Sequence, residues 1–201
     1  MQQIVIKLAV EDELSEAVLR KMIAHSSHRY VVGSCFNRGG FGYLKKNIQG
    51  FNHAAKRSLF LVLTDLDRGE CAPTLIHNWL SVPRHPNLLF RVAVREVESW
   101  VLASRSDFAK FLGISKELIP DRADEIDDPK QLLVNLAKKA KSRKLREAIV
   151  PRANSTAKVG PDYNGTLIQF VESCWDIEEA VRNSPSLGRA VNSLKNFEFT
   201  H

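Results

Sequence analysis

Cysteine is scarce in this chain. Its 201 residues hold three, Cys35, Cys71 and Cys174, far apart and without a C-x-x-C pair. An odd count with no framework excludes a disulfide-stapled scaffold and leads us to expect a reduced, cytoplasmic protein. Long apolar runs are also missing, and none approaches the roughly 20 residues of a membrane-spanning helix. The opening MQQIVIKLAVEDE has too short an apolar stretch for a signal peptide and meets acids at once. His25 and His28 sit three apart with no second pair to join them, which argues against zinc. The segment GPDYNGT at Gly160 has the glycines of a phosphate loop but no lysine before Thr166. An NTP-binding P-loop is therefore excluded, and no ATPase activity is expected of this chain. Internal repeats and low-complexity tracts are absent.

What is present is ordinary for a globular chain: 44% hydrophobic and 26% charged residues, enough to bury a core without staples. The net charge of +6 mildly favours a polyanionic partner. Apolar patterning gives an alternating order. QIVIKLAV reads as a strand, and EDELSEAVLRKMIAH as an amphipathic helix with Leu14, Ala17, Val18 and Met22 on one face. YVVGSCF is a second strand. NRGGFGYLKKNIQGFNHAAK starts as a glycine-rich loop and continues as a basic helix. SLFLVLTD is a continuous apolar strand, PTLIHNWL a short helix, and NLLFRVAV a further strand that runs through REVESWVLAS into a helix. This order predicts an α/β fold with a mostly parallel sheet of about four strands and helices on both faces. After about Ser104 the character changes to helices, including SDFAKFLGI with Ser106 as expected N-cap, and a basic segment. We read an α/β core over 1–104 and a helical extension over 105–201, packed as one folding unit.

Acids collect at the strand ends. LFLVLTDLDRGE ends a buried strand in Asp65 and Asp67, and residues two apart in extended chain point the same way. In open α/β sheets the site lies outside the carboxyl ends of the strands. AVEDE places Glu11 at such an end, and REVES places Glu96 and Glu98 at another. Each acid taken alone is more commonly a solvated strand end, and the Asp-Leu-Asp-Arg-Gly stretch alone also reads as an Asp-rich turn. Together, with few histidines nearby, they suit one or two Mg²⁺ or Mn²⁺ ions better than a lone acid/base pair.

These segments resemble the TOPRIM domain, shared by topoisomerases, DnaG-type primases and OLD-family nucleases. VEDELSEAVL is similar to its first motif, an apolar strand followed by a glutamate, and LVLTDLDRGE to its Asp-x-Asp motif with a following glycine. VREVESWVLAS, KVGPDYNGTLIQFV and SPSLGRAV resemble segments of a small TOPRIM-like branch, often encoded beside an ATPase and associated with phage defence. The resemblance spans most of the chain and is weakest between Lys110 and Lys144. It implies metal binding or catalysis by Glu11, Asp65, Asp67 and Glu98, with Glu96 as a second candidate for the last position. The chain departs from the pattern at two places: Asp12 stands where glycine is usual and Ser15 where an acid is usual.

Basic segments complete the picture. RGGFGYLKK sets Arg38 and Lys45 around a helix start, fit either for phosphate or for a plain connecting loop. The run KKAKSRKL from Lys138, with Arg146 beyond it, is either a solvated helix face or a clamp on nucleic-acid backbone. Arg152 and Lys158 lie in a polar loop as candidate phosphate contacts. Tyr163, Trp79, Trp100 and Trp175 read as structural.

The leading expectation is a Mg²⁺-dependent nuclease acting on DNA or RNA, with a possible partner ATPase. The rival is a non-catalytic subunit of an ATPase assembly. A phosphatase with Asp65 as nucleophile is a weaker third, lacking a paired acid-lysine motif. A topoisomerase or primase would need domains for which this length leaves no space.

Overall fold

The computed structural model describes residues 3–26, 30–37, 39–69 and 71–200. Four parallel strands, β1 (Ile4–Ala9), β2 (Tyr30–Phe36), β3 (Leu59–Asp65) and β4 (Leu88–Ala93), form one sheet in the order β2-β1-β3-β4. The chain is thus α/β with an all-parallel sheet, as its alternating pattern predicts.

β3 shows why an unbroken apolar run becomes a central strand. Leu59, Leu61 and Leu63 belong to one hydrophobic cluster, and Phe60 and Val62 to another. The period of two sends alternate side chains to opposite faces, so a strand covered on both must be apolar throughout. Helix α1 (Glu13–His25) covers the first face through Leu14, Val18 and Met22. Helices α2 (Gly40–Ala54) and α3 (Ala72–Trp79) cover the second, through Leu44, Ile48, Phe51 and Trp79. The crossovers leaving β1 and β3 therefore run to opposite faces. The carboxyl ends of these two neighbours bound a crevice at a topological switch point, where open α/β sheets bind ligands.

From β4 the chain enters α4 (Val97–Ala103) and α5 (Arg105–Leu112), then α6 (Pro129–Ala137), α7 (Arg143–Ile149), α8 (Tyr163–Ser173), α9 (Ile177–Asn183) and α10 (Pro185–Lys195). These helices share the first cluster with β1 and α1, in a continuous apolar body that runs to Phe197. Trp100 anchors it. Its indole N–H donates to Ser186 Oγ at 2.7 Å, and its carbonyl accepts the Trp175 indole N–H at 3.1 Å. Both rings are buried, and the paired N–H groups let them be so without an unsatisfied donor.

Three local expectations need correction. The helix after the glycine-rich loop starts earlier than expected, because α2 takes in Gly40 and Gly42 and begins directly after Gly39 at φ 111°. Ser106 does not cap α5: that helix starts at Arg105 after Ser104, and the Ser106 N–H donates to the Glu179 carboxylate. β4 does not extend into REVES, since it ends at Ala93 and Glu96 is the N-cap position of α4. Arg95, at φ 64°, turns the chain there. Among the described residues no helix is long and apolar enough to cross a membrane.

Candidate metal centre

One helix cap accounts for the places of Asp12 and Ser15. Asp12 is the N-cap of α1, and its Oδ1 accepts the Ser15 N–H at 2.8 Å. Its backbone is extended, φ −149° and ψ 178°, so glycine has no conformational advantage here. Ser15 is buried, where an ionised acid would be costly.

Glu11, between β1 and that cap, reaches across to β3. Its Oε1 accepts the Thr64 hydroxyl in a short hydrogen bond and the Asp65 N–H at 2.9 Å. Burial raises the pKa of Glu11. Those two bonds partly offset the rise, and the charges of Asp67 and Asp12 add to it. Asp65 ends β3 and turns toward α4, where its Oδ1 accepts the Val97 N–H at 2.9 Å. A carboxylate from β3 thereby caps a helix whose own N-cap residue, Glu96, makes no side-chain cap bond. Burial raises the Asp65 pKa well above the usual carboxylate range, helped by the negative charges of Glu98, Glu11, Asp12 and Asp67.

Asp67 does not continue the strand. Leu66 is buried in the second cluster, against the α2–α3 layer, and Asp67 is an exposed turn residue at φ 48°. It is paired with Arg95, which is also in left-handed backbone. The Asp67 N–H donates to Arg95 O at 2.8 Å, and Arg95 Nη1 donates to Asp67 O at 3.2 Å. Gly69 closes the turn: a Cβ there would lie 2.9 Å from Leu66 O, nearer than such atoms come. The simple alternation that puts Asp65 and Asp67 on one face therefore stops at Asp65. In the turn Asp67 still lies near enough for its charge to act on Glu11 and Asp65.

Glu98 is the deepest acid. It sits in the first turn of α4, 2% exposed, and its Oε1 accepts the Tyr163 hydroxyl at 3.0 Å. Its Oε2 is buried with no hydrogen-bond partner. Burial raises its pKa, opposed by the nearby charge of Lys130. Lys130, in the first turn of α6, places Nζ 3.3 Å from Glu98 Oε1 and 3.6 Å from Glu96 Oε1. Burial works against the Lys130 charge, but Glu98, Glu96 and Asp65 outweigh it and hold the pKa above the usual lysine value. Glu96 also caps α6, its Oε2 accepting the Lys130 N–H at 3.1 Å.

The carboxyl ends of β1 and β3 and the start of α4 thus bring Glu11, Asp67 and Glu98 each within electrostatic reach of Asp65. Among the described residues, however, no three His, Cys, Asp or Glu side chains converge as a ready metal-holding group. The donor set is all oxygen, which suits a hard cation, and the orphaned Glu98 Oε2 is the kind of buried acceptor that such a cation would satisfy.

The basic candidates scatter. Lys45 is exposed on α2 and shares a small cleft with Gly69 of the Asp67 turn, together with Cys71 and Trp79. Arg152 and Lys158 are exposed in the loop after α7. Arg38, like His28, lies outside the described residues. Sequence reasoning missed Thr64 and Lys130, and took Tyr163 as structural without its bond to Glu98. Thr64 carried a signal, as a polar residue inside an apolar strand. Lys130 carried none: it lies 32 residues from Glu98 in a turn-rich segment, and only tertiary packing brings the two together. Compared with protein-family models, curated proteins and solved structures, the chain matches none.

Proposed function

We propose that this protein is a Mg²⁺- or Mn²⁺-dependent phosphodiester hydrolase acting on nucleic acid, working in phage defence with a partner ATPase as its TOPRIM resemblance implies. One observation carries the reading. A buried carboxylate oxygen without a partner, Glu98 Oε2, sits among acids that already repel one another at the switch point of an α/β sheet. Self-repulsion of that kind costs stability unless a cation relieves it. Glu11, Asp65, Asp67 and Glu98 are the residues that would hold the ion, with Glu96 at the margin.

A divalent cation bound there would supply Lewis-acid polarisation of a phosphate. The chain's own groups have separable tasks. Glu11 has Oε1 fixed by Thr64 and the Asp65 N–H, which leaves Oε2 as the atom to take a proton from the attacking nucleophile. Burial raises its proton affinity toward that role. Lys130 keeps its charge and can stabilise the charge that develops on phosphate oxygens. Tyr163 fixes the rotamer of Glu98. The reading is tested by incubating DNA and RNA with the protein and Mn²⁺ or Mg²⁺, with and without the partner ATPase. Cleavage that is lost in Asp67→Asn supports it. Cleavage that persists in Asp67→Asn and in Asp65→Asn refutes it.

A second reading is favoured by Lys130 itself. Its ammonium already compensates Glu98 and Glu96, so the acids could serve as a structural ion-pair network in a non-catalytic subunit. Under that reading Mn²⁺ would leave the melting temperature unchanged.

A further inference from the structure

A cavity of about 690 Å³ opens between α7 and the loop that follows it, and none of the candidate metal ligands lines it. Its size is that of a small-ligand pocket, roughly 300–1,000 Å³. Lys138, Lys144, Arg146 and Arg152 face it, against the single acid Glu147. Glu147 is already engaged by Arg143 Nε at 2.7 Å. Arg146 is tied back to the carbonyls of Ala140 and Lys141, and forms a fixed wall. Lys138, Lys144 and Arg152 are exposed and enter no ion pair among the described residues. Uncompensated cations gathered around one concavity are the footprint of a polyanion. The rest of the wall, including Val150, Pro151 and Pro161, is apolar. A ligand that fits has anionic groups joined by less polar units.

The cavity is preformed. The loop after α7 is clasped at its far end to the carboxyl end of that helix: the Gly160 N–H donates to Ile149 O at 2.8 Å and the Asp162 N–H to Ala148 O at 3.1 Å. The clasp demands glycine, because a Cβ at position 160 would lie 2.3 Å from Ala148 O. Pro151 and Pro161 stiffen its two ends. The same clasp positions Tyr163, whose hydroxyl meets Glu98. α6 provides a second link. Lys130 at its start touches Glu98 and Glu96, while Lys138, its C-cap residue, lines the cavity. Eight residues of helix span about 12 Å, a distance on the scale of a few nucleotides at most.

We infer that this cavity is a backbone subsite for nucleic acid. Lys138, Lys144 and Arg152 would hold phosphates a few nucleotides away from those at the carboxylates. The inference rests on the nucleic-acid part of the proposed function but not on its chemistry. Contacts of this kind carry no sequence information and are sensitive to salt.

The test is fluorescence anisotropy of labelled single-stranded DNA and RNA oligonucleotides, titrated with the full chain in EDTA over a series of salt concentrations. The triple variant Lys138→Glu, Lys144→Glu, Arg152→Glu should bind about ten-fold or more weakly at low salt. Its slope of log affinity against log salt should fall by about 2, three contacts at roughly 0.7 each. A matching variant with glutamine at the three positions should show a smaller loss in the same direction, and circular dichroism checks that both fold. Charge reversal at Lys46, Lys56 and Arg57, on α2 and the turn after it across the sheet, should leave affinity within about two-fold. If the wild type binds and the cavity variants match it in affinity and slope, the subsite does not exist, while the nuclease reading is untouched. If the cavity variants lose binding but the wild type cleaves nothing with Mn²⁺, with or without the partner ATPase, the subsite stands and the hydrolase reading falls. A wild type that binds neither oligonucleotide overturns both.

Discussion

The Lys130 ammonium lies 3.3 Å from Oε1 of Glu98, and that glutamate side chain is 3% exposed. The lysine is therefore the positive charge that opposes the rise which burial imposes on the Glu98 pKa. Lys130→Met should destabilise the metal-free protein. The lysine side chain is 37% exposed, so water screens part of the loss. About 1–2 kcal/mol is expected, below the 3–5 kcal/mol of a fully buried broken pair. If the acids also hold a divalent ion, Mn²⁺ should narrow the gap between variant and wild type. Thermal melts in EDTA and in Mn²⁺ measure both effects. An unchanged melt in EDTA would show that Glu98 is neutralised by a proton rather than by Lys130.

Stability should also depend on pH in the sense opposite to that of salt-bridged carboxylates. Glu11, Asp65 and Glu98 all have raised pKa values, each chiefly through burial. Each binds its proton more tightly folded than unfolded. The stability that this contributes is complete below the unfolded carboxyl values, near 4, and is lost as pH rises through the raised folded values. In EDTA the contribution of these three acids to the free energy of unfolding should thus fall as pH rises above the unfolded carboxyl values. Asp65→Asn should flatten part of that slope. Urea unfolding at a series of pH values, wild type minus variant, isolates the contribution of Asp65. A difference that does not change with pH would mean that Asp65 titrates normally.

The turn after β3 predicts an order of stabilities. Leu66 is 5% exposed in the α2–α3 layer, so Leu66→Asp buries an unpaired charge and should cost about 3 kcal/mol or more. Asp67 is exposed but has positive φ, which asparagine tolerates and alanine does not. Asp67→Asn should melt close to wild type, and Asp67→Ala about 1–2 kcal/mol below it from backbone strain alone. Asp67→Asn is therefore the clean variant for function. An Asp67→Ala protein as stable as Asp67→Asn would contradict the left-handed turn.

Gly160→Ala should be among the most damaging single methyl additions in the chain, since the new Cβ would press on the Ala148 carbonyl at 2.3 Å. Breaking the clasp should cost about 2 kcal/mol or more and speed proteolysis within residues 151–159. Gly42→Ala offers a control on α2, since a Cβ there meets nothing within 4 Å. Limited proteolysis and denaturant melts compare the two. Equal behaviour would remove the clasp as a structural element.

Periodicity alone determined the fold class. The alternating order of strands and helices, with an apolar run at Leu59–Leu63 that only a doubly covered strand can hold, implied a parallel sheet clothed on both faces, and the sheet has that form. The core placement of Trp79, Trp100 and Trp175 followed from their apolar neighbours in the same way. These features are local, because burial repeats with the period of the element that carries it. The candidate site was only half local. Glu11 and Asp65 could be placed at strand ends, since strand ends in an α/β order share an edge. Tertiary structure decided the rest. It put Glu96 and Glu98 on a helix start rather than a strand, turned Asp67 out of the strand, and made Asp12 and Ser15 a cap. It also brought Lys130 and Tyr163 to Glu98 from 32 and 65 residues away. No pattern in a chain encodes such meetings, because the charge balance of a buried acid depends on which distant helix packs over it.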